Sequence, residues 1–231
     1  MDRLNLILNQ SVEWLPGCEK CALGRIKKPS EFGYTTEMCT CYTEYEAVKE
    51  WLNIFSRSNI QKESLSRYSL GNYKGNVISE AMLWDFVQGV GKKKWFYFSG
   101  PTGTGKTYSA ILCALMAIYL GKQVYYANVP NLMDMLRPSE KDVSRVIMQK
   151  CIEAEFLVLD DLGQEKGGEW VLERLYIIVN ERYLAQRATI YTSNHKISSL
   201  PLKISHKAIV SRLVGDAHEV QFVGEDKRLL T

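Results

Sequence analysis

The chain has 231 residues, 46% of them hydrophobic and 24% charged, with a formal net charge of +3. That length holds one substantial domain and a small appendage, and the apolar fraction excludes a disordered chain. The weak positive charge permits contact with nucleic acid without arguing for it.

Residues 1–10 carry Asp2 and Arg3 and no long apolar run, so no secretory signal is expected there. The longest apolar run, residues 110–120, falls well short of the roughly 20 residues that a membrane-spanning helix needs. The expectation is a soluble, cytoplasmic protein with no membrane partner. In a reducing compartment its six cysteines favour metal binding over disulfides.

Four of the cysteines fall early, at Cys18, Cys21, Cys39 and Cys41. A Cys-x2-Cys pair and a Cys-x-Cys pair can supply the four soft donors of a tetrahedral Zn²⁺. Pro16-Gly17 and Gly24 suit tight turns beside the first pair. Such a closed site would be structural, since four protein ligands leave no open position. The alternative is four reduced cysteines in a loop-rich segment, which then lacks a staple. Across residues 42–55, Tyr45, Val48, Leu52 and Phe55 recur at helical spacing between charged residues, which predicts an amphipathic helix. Residues 56–76 read as a polar linker. Residues 77–88 read as a second helix, with Ile78, Met82 and Phe86 on one side. A turn with Lys92, Lys93 and Lys94 follows, read as a solvated loop.

The stretch Gly100-Pro101-Thr102-Gly103-Thr104-Gly105-Lys106-Thr107 then fits the phosphate-loop pattern. Its glycines let the backbone close around an anion, Lys106 can reach the β- and γ-phosphates, and the Thr107 hydroxyl can ligate Mg²⁺. Aromatic, strand-like residues 95–99 precede it. A run without Gly or Pro, residues 106–120, follows as a helix whose N-terminus favours anions. From here strands and helices alternate, which implies an α/β fold with a parallel sheet and helices on both faces. Strand 123–128 leads to helices ending at Arg137 and spanning 139–154. Residues 156–159 form a buried apolar strand ending in Asp160 and Asp161, where ligands of such sheets bind. Asp160 is suited to hold Mg²⁺ and Asp161 to orient the attacking water. After a helix over 170–185, strand 188–192 ends in Ser193 and Asn194. Asn194 suits either a contact with the γ-phosphate or attacking water, or a plain turn or cap. His195 reads as incidental. A helix over 205–214 carries Arg212 and stops at Gly215, and a last strand spans 219–223. Cys113 and Cys151 stand among apolar residues and read as core. No Asn-Lys-x-Asp stretch is present to read a guanine base.

The pieces GPTGTGKT, VPNLMDMLR, FLVLDDLG, NERY, TIYTSN, VSRL and GEDKR occur in an order that resembles DnaC/DnaI-type bacterial replicative helicase loaders. These are AAA+ ATPases, and the related IstB-type transposition ATPases share the series. The resemblance covers roughly residues 60–230. It implies a P-loop sheet of strand order 5-1-4-3-2 and binding of ATP and Mg²⁺. It makes Lys106 and Thr107 the Walker A residues, Asp160 and Asp161 the Walker B residues, and Asn194 sensor 1. Arg212 would be an arginine finger reaching the ATP site of the next subunit, hence self-association; without the resemblance it is an ordinary helix arginine. Arg228 is a sensor 2 candidate, although the chain ends within ten residues of Val223, leaving little or no C-terminal lid. Tyr68 is an adenine-pocket candidate by position alone. The cysteine cluster looks like the zinc module of DnaI-type loaders. The implied organisation is a helicase-binding zinc module over residues 1–58 and an ATPase domain over 59–231. The reading that follows is a loader of a hexameric replicative helicase. The alternatives are an IstB-type regulator of a transposase, or a zinc-stapled adaptor that scarcely hydrolyses ATP. Single-stranded DNA is an expected partner, with Arg137, Lys141 and Arg145 as candidate phosphate contacts.

Overall fold

A computed structural model describes residues 25–30, 33–61, 78–90, 93–137, 141–164, 169–200 and 206–226. Cys18, Cys21, Tyr68 and Arg228 therefore lie outside the described residues. Two strands, β1 (Arg25–Ser30) and β2 (Gly33–Met38), pair antiparallel. Gly33 has φ +122°, in the region that favours glycine. The exposed Lys28–Glu37 pair at 2.6 Å adds little, because water screens it.

Helix α1 (Thr40–Arg57) follows. Its buried residues are Val48, Trp51, Ile54 and Phe55, whereas Leu52 is only half-buried. The buried stripe is thus rotated toward Trp51 from the one that the spacing predicts. Trp51 stacks on Tyr119 at 5.0 Å, which draws that side of the helix inward. Helix α2 (Glu80–Gln88) starts at Ser79, whose hydroxyl accepts from the Met82 N–H, and ends at Gly89 with φ +81°. Ile78, Leu83, Phe86 and Val87 are buried. Met82, expected on the same side, is exposed, and the buried stripe of the helix runs through Leu83, Phe86 and Val87 instead.

The central sheet comprises β3 (Trp95–Ser99), β4 (Val124–Asn128), β5 (Phe156–Asp160), β6 (Ala188–Ser193) and β7 (Ala217–Gln221). The order is β4-β5-β6-β3-β7, and every pairing is parallel. Counted from β3 this is 5-1-4-3-2, as the resemblance implies. Between the strands lie α3 (Lys106–Tyr119), α4 (Val129–Met135), α5 (Lys141–Glu153), α6 (Glu169–Leu184) and α7 (His206–Asp216). Strand alternation divides the core. Phe96, Phe98, Val158 and Ile190 face α1, α2 and α3, while Trp95, Tyr97, Leu157, Leu159 and Tyr191 face α4 to α7. Helix α3 is buried from Ser109 through Ile118, and a helix apolar on all sides must be covered on all sides. The sheet covers one side, and α1 and α2 cover the others.

Two boundaries differ from the expected ones. Gly215 does not stop α7, which runs to Asp216, and Gly215 lacks the positive φ of a C-terminal glycine. The last strand accordingly begins at Ala217 and ends at Gln221, two residues early, with its register fixed by pairing along β3. Lys93 in the lysine turn donates to the Gly215 carbonyl at the end of α7. Cys113 and Cys151 are fully buried, as expected of core residues.

Arg182 on α6 is buried to 0% exposure. Its guanidinium donates to the carbonyls of Cys151, Ile152 and Ala154 at the end of α5, to Ala188 O, and to the Thr189 hydroxyl. The planar fork satisfies carbonyls that the end of α5 leaves open, and its charge suits the negative pole of that helix. Burial lowers its pKa to about 10, so it stays cationic at neutral pH. Among the described residues no helix is long and apolar enough to cross a membrane.

Candidate nucleotide site

The C-terminal ends of β3, β5 and β6 bring the predicted residues together. Gly100, Gly103 and Gly105 take φ values of +144°, +77° and +101°. A Cβ on Gly100 would stand 2.1 Å from the Phe222 carbonyl oxygen, and one on Gly103 would stand 1.8 Å from an Asp226 carboxylate oxygen. Gly100 is required by conformation and by space, because it meets backbone, and Gly103 by its conformation, since the Asp226 carboxylate can swing aside. The loop then enters α3 at Lys106. Lys106 is 5% exposed, and its ammonium donates to the carbonyls of Gly100 (2.8 Å) and Pro101 (2.7 Å) and to Asn194 Oδ1 (3.0 Å). Asn194, from the tip of β6, thus sits against the loop lysine rather than merely forming a turn.

Asp160 receives three hydroxyl donors. Thr107 donates to Oδ1 at 2.8 Å, Thr192 donates to Oδ1 at 2.6 Å, and Tyr126 donates to Oδ2 at 2.8 Å. Asp161 has φ +61°, a left-handed conformation that Asp tolerates better than most residues. Its amide donates to Thr192 Oγ1 (3.0 Å), and its carboxylate accepts from the Asn128 amide (3.1 Å). The neighbouring turn is tied down as well. Tyr97 OH donates to His195 O, and Glu219 accepts from both the Ser99 hydroxyl and the Ile197 amide. His195 participates through its backbone, in keeping with an incidental side chain.

The donor set fits a nucleotide phosphate with a hard cation. A glycine loop at a helix N-terminus carries a buried ammonium, and Thr107 and Asp160 offer oxygen ligands of the kind that Mg²⁺ selects.

Other candidates lie elsewhere. Arg212 is half-buried on α7 between the rings of Tyr176 and Tyr183, at 5.1 and 5.4 Å, and donates to Asn180 Oδ1 (2.6 Å) and Ala208 O (3.0 Å). Its partners are on α6 and its own helix, not in the loop of its own chain. Arg137 pairs with Asp134 at 3.0 Å on the surface. Lys141 opens α5, and Arg145 lines a cleft of about 540 Å³ with Trp170 and Arg174 between α5 and α6. Cys39 is the buried N-cap of α1, and Cys41 lies in its first turn. Among the described residues no three or more His, Cys, Asp or Glu gather as a metal site. The other two cysteines of the expected zinc set are outside those residues.

Tyr126, Asn128, Thr192, Glu219 and Asp226 also belong to the site, and the sequence alone assigns them no role. For Tyr126 and Asn128 the available signal was strand order: once β4 lies beside β5, Asn128 pairs in register with Asp160.

This fold and this loop define an ATP-binding P-loop protein of the AAA+ type. Residues 77–231 match the family model described as IstB-like ATP binding protein, and the chain belongs to that family. Two similar proteins from Sinorhizobium fredii, y4pL and y4uH, are named as insertion sequence ATP-binding proteins. Both are 32% identical, over 56% and 73% of this chain. The chain spans 54% of the length of the first and 68% of the second. Among solved structures, DnaI aligns with a TM-score of 0.60 at 22% identity, covering 74% of this chain and 95% of that one. The replication initiator DnaA bound to AMPPCP and single-stranded DNA aligns at 0.59 and 22%, covering 69% of this chain and 50% of that one. The DnaC helicase loader aligns at 0.52 and 21%, covering 74% and 99%. At these identities the structural likeness is one of fold.

Proposed function

We propose that the protein is a Mg²⁺-dependent ATPase that serves a mobile DNA element, switching a transposase-type partner on DNA through cycles of ATP binding and hydrolysis. The observation that carries the ATPase reading is the convergence of Lys106, Thr107, Asp160, Asp161 and Asn194 at one end of the sheet. The loop amides and Lys106 bind the phosphates, and Thr107 and Asp160 hold the metal. Asp161 orients the attacking water, and Asn194 stands at the γ-phosphate end beside Lys106. When held there, Mg²⁺ would supply positive charge against the phosphate oxygens. Arg212, whose contacts in its own chain are away from the loop, completes the site of a neighbouring copy and stabilises charge on the transferring phosphoryl group. The relatives named for insertion sequences favour the mobile-element role.

A second reading, loading of a hexameric replicative helicase, is favoured by the cysteine pairs. In it residues 1–58 form a module in which Cys18, Cys21, Cys39 and Cys41 hold Zn²⁺ and engage the helicase, and residues 59–231 form the ATPase. Cys39 and Cys41 stand two residues apart at the α1 N-terminus and would supply one pair of that ligand set. In either reading Arg137, Lys141 and Arg145 meet the backbone of DNA. Reversing their charges is expected to weaken single-strand binding and flatten its salt dependence.

The test is capture of the tagged chain from its host with ATP and Mg²⁺, together with hydrolysis assays. Recovery of a transposase supports the first reading. Recovery of a replicative helicase, lost when Cys18 and Cys21 become Ser, supports the second. Lys106→Ala is expected to abolish nucleotide binding, and Arg212→Ala to keep binding while losing hydrolysis. Normal turnover by Arg212→Ala would refute the shared site.

A further inference from the structure

Strand β4 is one edge of the sheet, and it is not left bare. The chain leaving α1 runs along it. The Tyr126 amide donates to the Ser58 carbonyl at 2.8 Å, and the Asn59 side-chain amide donates to the Tyr126 carbonyl at 2.9 Å. Ser58 is buried to 0% exposure, its hydroxyl donates to Phe55 O, and it accepts from the Ile60 amide. Asn59 has φ +62°, a conformation for which asparagine is among the better residues. Both backbone groups of Tyr126 are therefore held by the residues that follow α1. Its ring packs against the core that α1 shares with α3, and its hydroxyl is the donor to Asp160 Oδ2. One residue spans the seat of the N-terminal segment and the carboxylate at the tip of β5.

We propose that Tyr126 is a positioning residue for Asp160, and that through it the seating of residues 58–60 on β4 is coupled to metal–nucleotide binding. The proposal rests on the ATPase reading above. With Oδ2 pinned by the phenol and Oδ1 by Thr107 and Thr192, the carboxylate plane is fixed before a cation arrives. Losing the phenol lets the carboxylate rotate, and Mg²⁺ must then pay for its ordering. The coupling runs in both directions, because linkage is reciprocal. Nucleotide with Mg²⁺ tightens the 58–60 seat, and loosening the seat weakens Mg²⁺-supported binding. An event on the N-terminal part of the chain thereby reaches the ATP site without touching the phosphate loop.

The experiment uses the full chain and a fluorescent, non-hydrolysable ATP analogue. Binding is titrated against Mg²⁺, and hydrogen exchange at the Tyr126 amide is followed with and without the analogue. Three proteins are compared: the unaltered chain, Tyr126→Phe and Asn59→Gly. The glycine variant keeps the left-handed turn and removes only the side-chain donor. A hydrogen bond to a charged group is worth roughly a tenfold change in binding. The Mg²⁺ midpoint is expected to rise about tenfold in Tyr126→Phe and about threefold in Asn59→Gly. The protection that Mg²⁺ and the analogue add at the Tyr126 amide is expected to vanish in Tyr126→Phe. A merely structural role would lower thermal stability without moving the midpoint. If the unaltered chain fails to bind the analogue, the nucleotide-site reading falls. If it binds with Mg²⁺ dependence while the midpoint in Tyr126→Phe stays within twofold, the coupling is overturned and the site reading stands. Should Tyr126→Phe fail to fold, an unchanged midpoint and unchanged exchange in Asn59→Gly overturn it equally.

Discussion

Thr192 links the two acidic residues of the site, and exchanging its hydroxyl for a methyl group tests the proposed chemistry. It is fully buried, donates to Asp160 Oδ1 at 2.6 Å and accepts from the Asp161 amide at 3.0 Å. Thr192→Val keeps the shape and deletes both bonds. A hydrogen bond to a charged acceptor is worth about 1.5–3 kcal/mol, and an orphaned buried donor costs about 1–3 kcal/mol. A combined stability loss of about 2.5–6 kcal/mol follows. At about 2–4 °C per kcal/mol for a domain of this size, the melting temperature should fall by roughly 5–24 °C. The effect on turnover is separate. If Thr192 holds Asp160 and Asp161 in the productive arrangement, losing about 1.5–3 kcal/mol of that orientation lowers kcat roughly 10- to 100-fold. KM for ATP should change little, because Lys106 and the loop are untouched. Steady-state ATP hydrolysis at saturating Mg²⁺, well below the melting transition, measures this, and Thr192→Ser should restore most of the rate. A kcat within twofold of the unaltered protein in Thr192→Val, or a serine variant no better than the valine one, would refute the assignment.

Arg182→Met should destabilise the fold by about 3–5 kcal/mol in urea denaturation, because the carbonyls of Cys151, Ile152, Ala154 and Ala188 lose a shared donor in a buried place. Arg182→Lys should rescue little, since one ammonium cannot span them, and a loss under about 1 kcal/mol for the methionine variant would contradict the account. Burial pushes the Cys151 thiol from 9.0 to about 12, and raises Cys113 further. The folded values lie above the unfolded ones, so this contribution is fully present below pH 9. It is lost as pH rises toward the folded values, because the unfolded thiols ionise first. Stability should therefore drop above pH 9 by about 1.4 kcal/mol per unit per thiol. Equilibrium unfolding across pH 8–11 checks this, and replacing both residues with Ala should flatten the slope. Arg212→Ala, already named, tests whether the ATP site is shared between copies.

Much of the site is legible in the sequence. The phosphate loop announces itself because a backbone wrapped around an anion demands glycine at fixed steps, and Gly100 and Gly103 do meet atoms that a Cβ would strike. The strand ending in Asp160 is legible because a strand covered on both faces is apolar throughout, and Phe156 through Leu159 are all buried. Resemblance supplied the strand order, which local pattern cannot, since pairing partners are distant in sequence. Local periodicity misjudged α1 because Val48-x2-Trp51-x2-Ile54-Phe55 and Tyr45-x2-Val48-x3-Leu52-x2-Phe55 are both valid helical stripes. Stacking of Trp51 on Tyr119 selected the first.

By itself, then, the sequence determined what is encoded by contiguous chemistry: the loop, the acidic strand tip, the alternation of strands and helices, and the apolar character of α3. Tertiary structure decided what depends on distant neighbours. Arg182 reads as one more helix arginine until the end of α5 and the start of β6 place their carbonyls around it. Tyr126 reads as one aromatic residue in a strand until β4 lies beside β5 and Asp160 comes within 2.8 Å of its hydroxyl. Side-chain hydrogen bonds across a sheet are set by strand order and register, and those follow from packing the whole core at once.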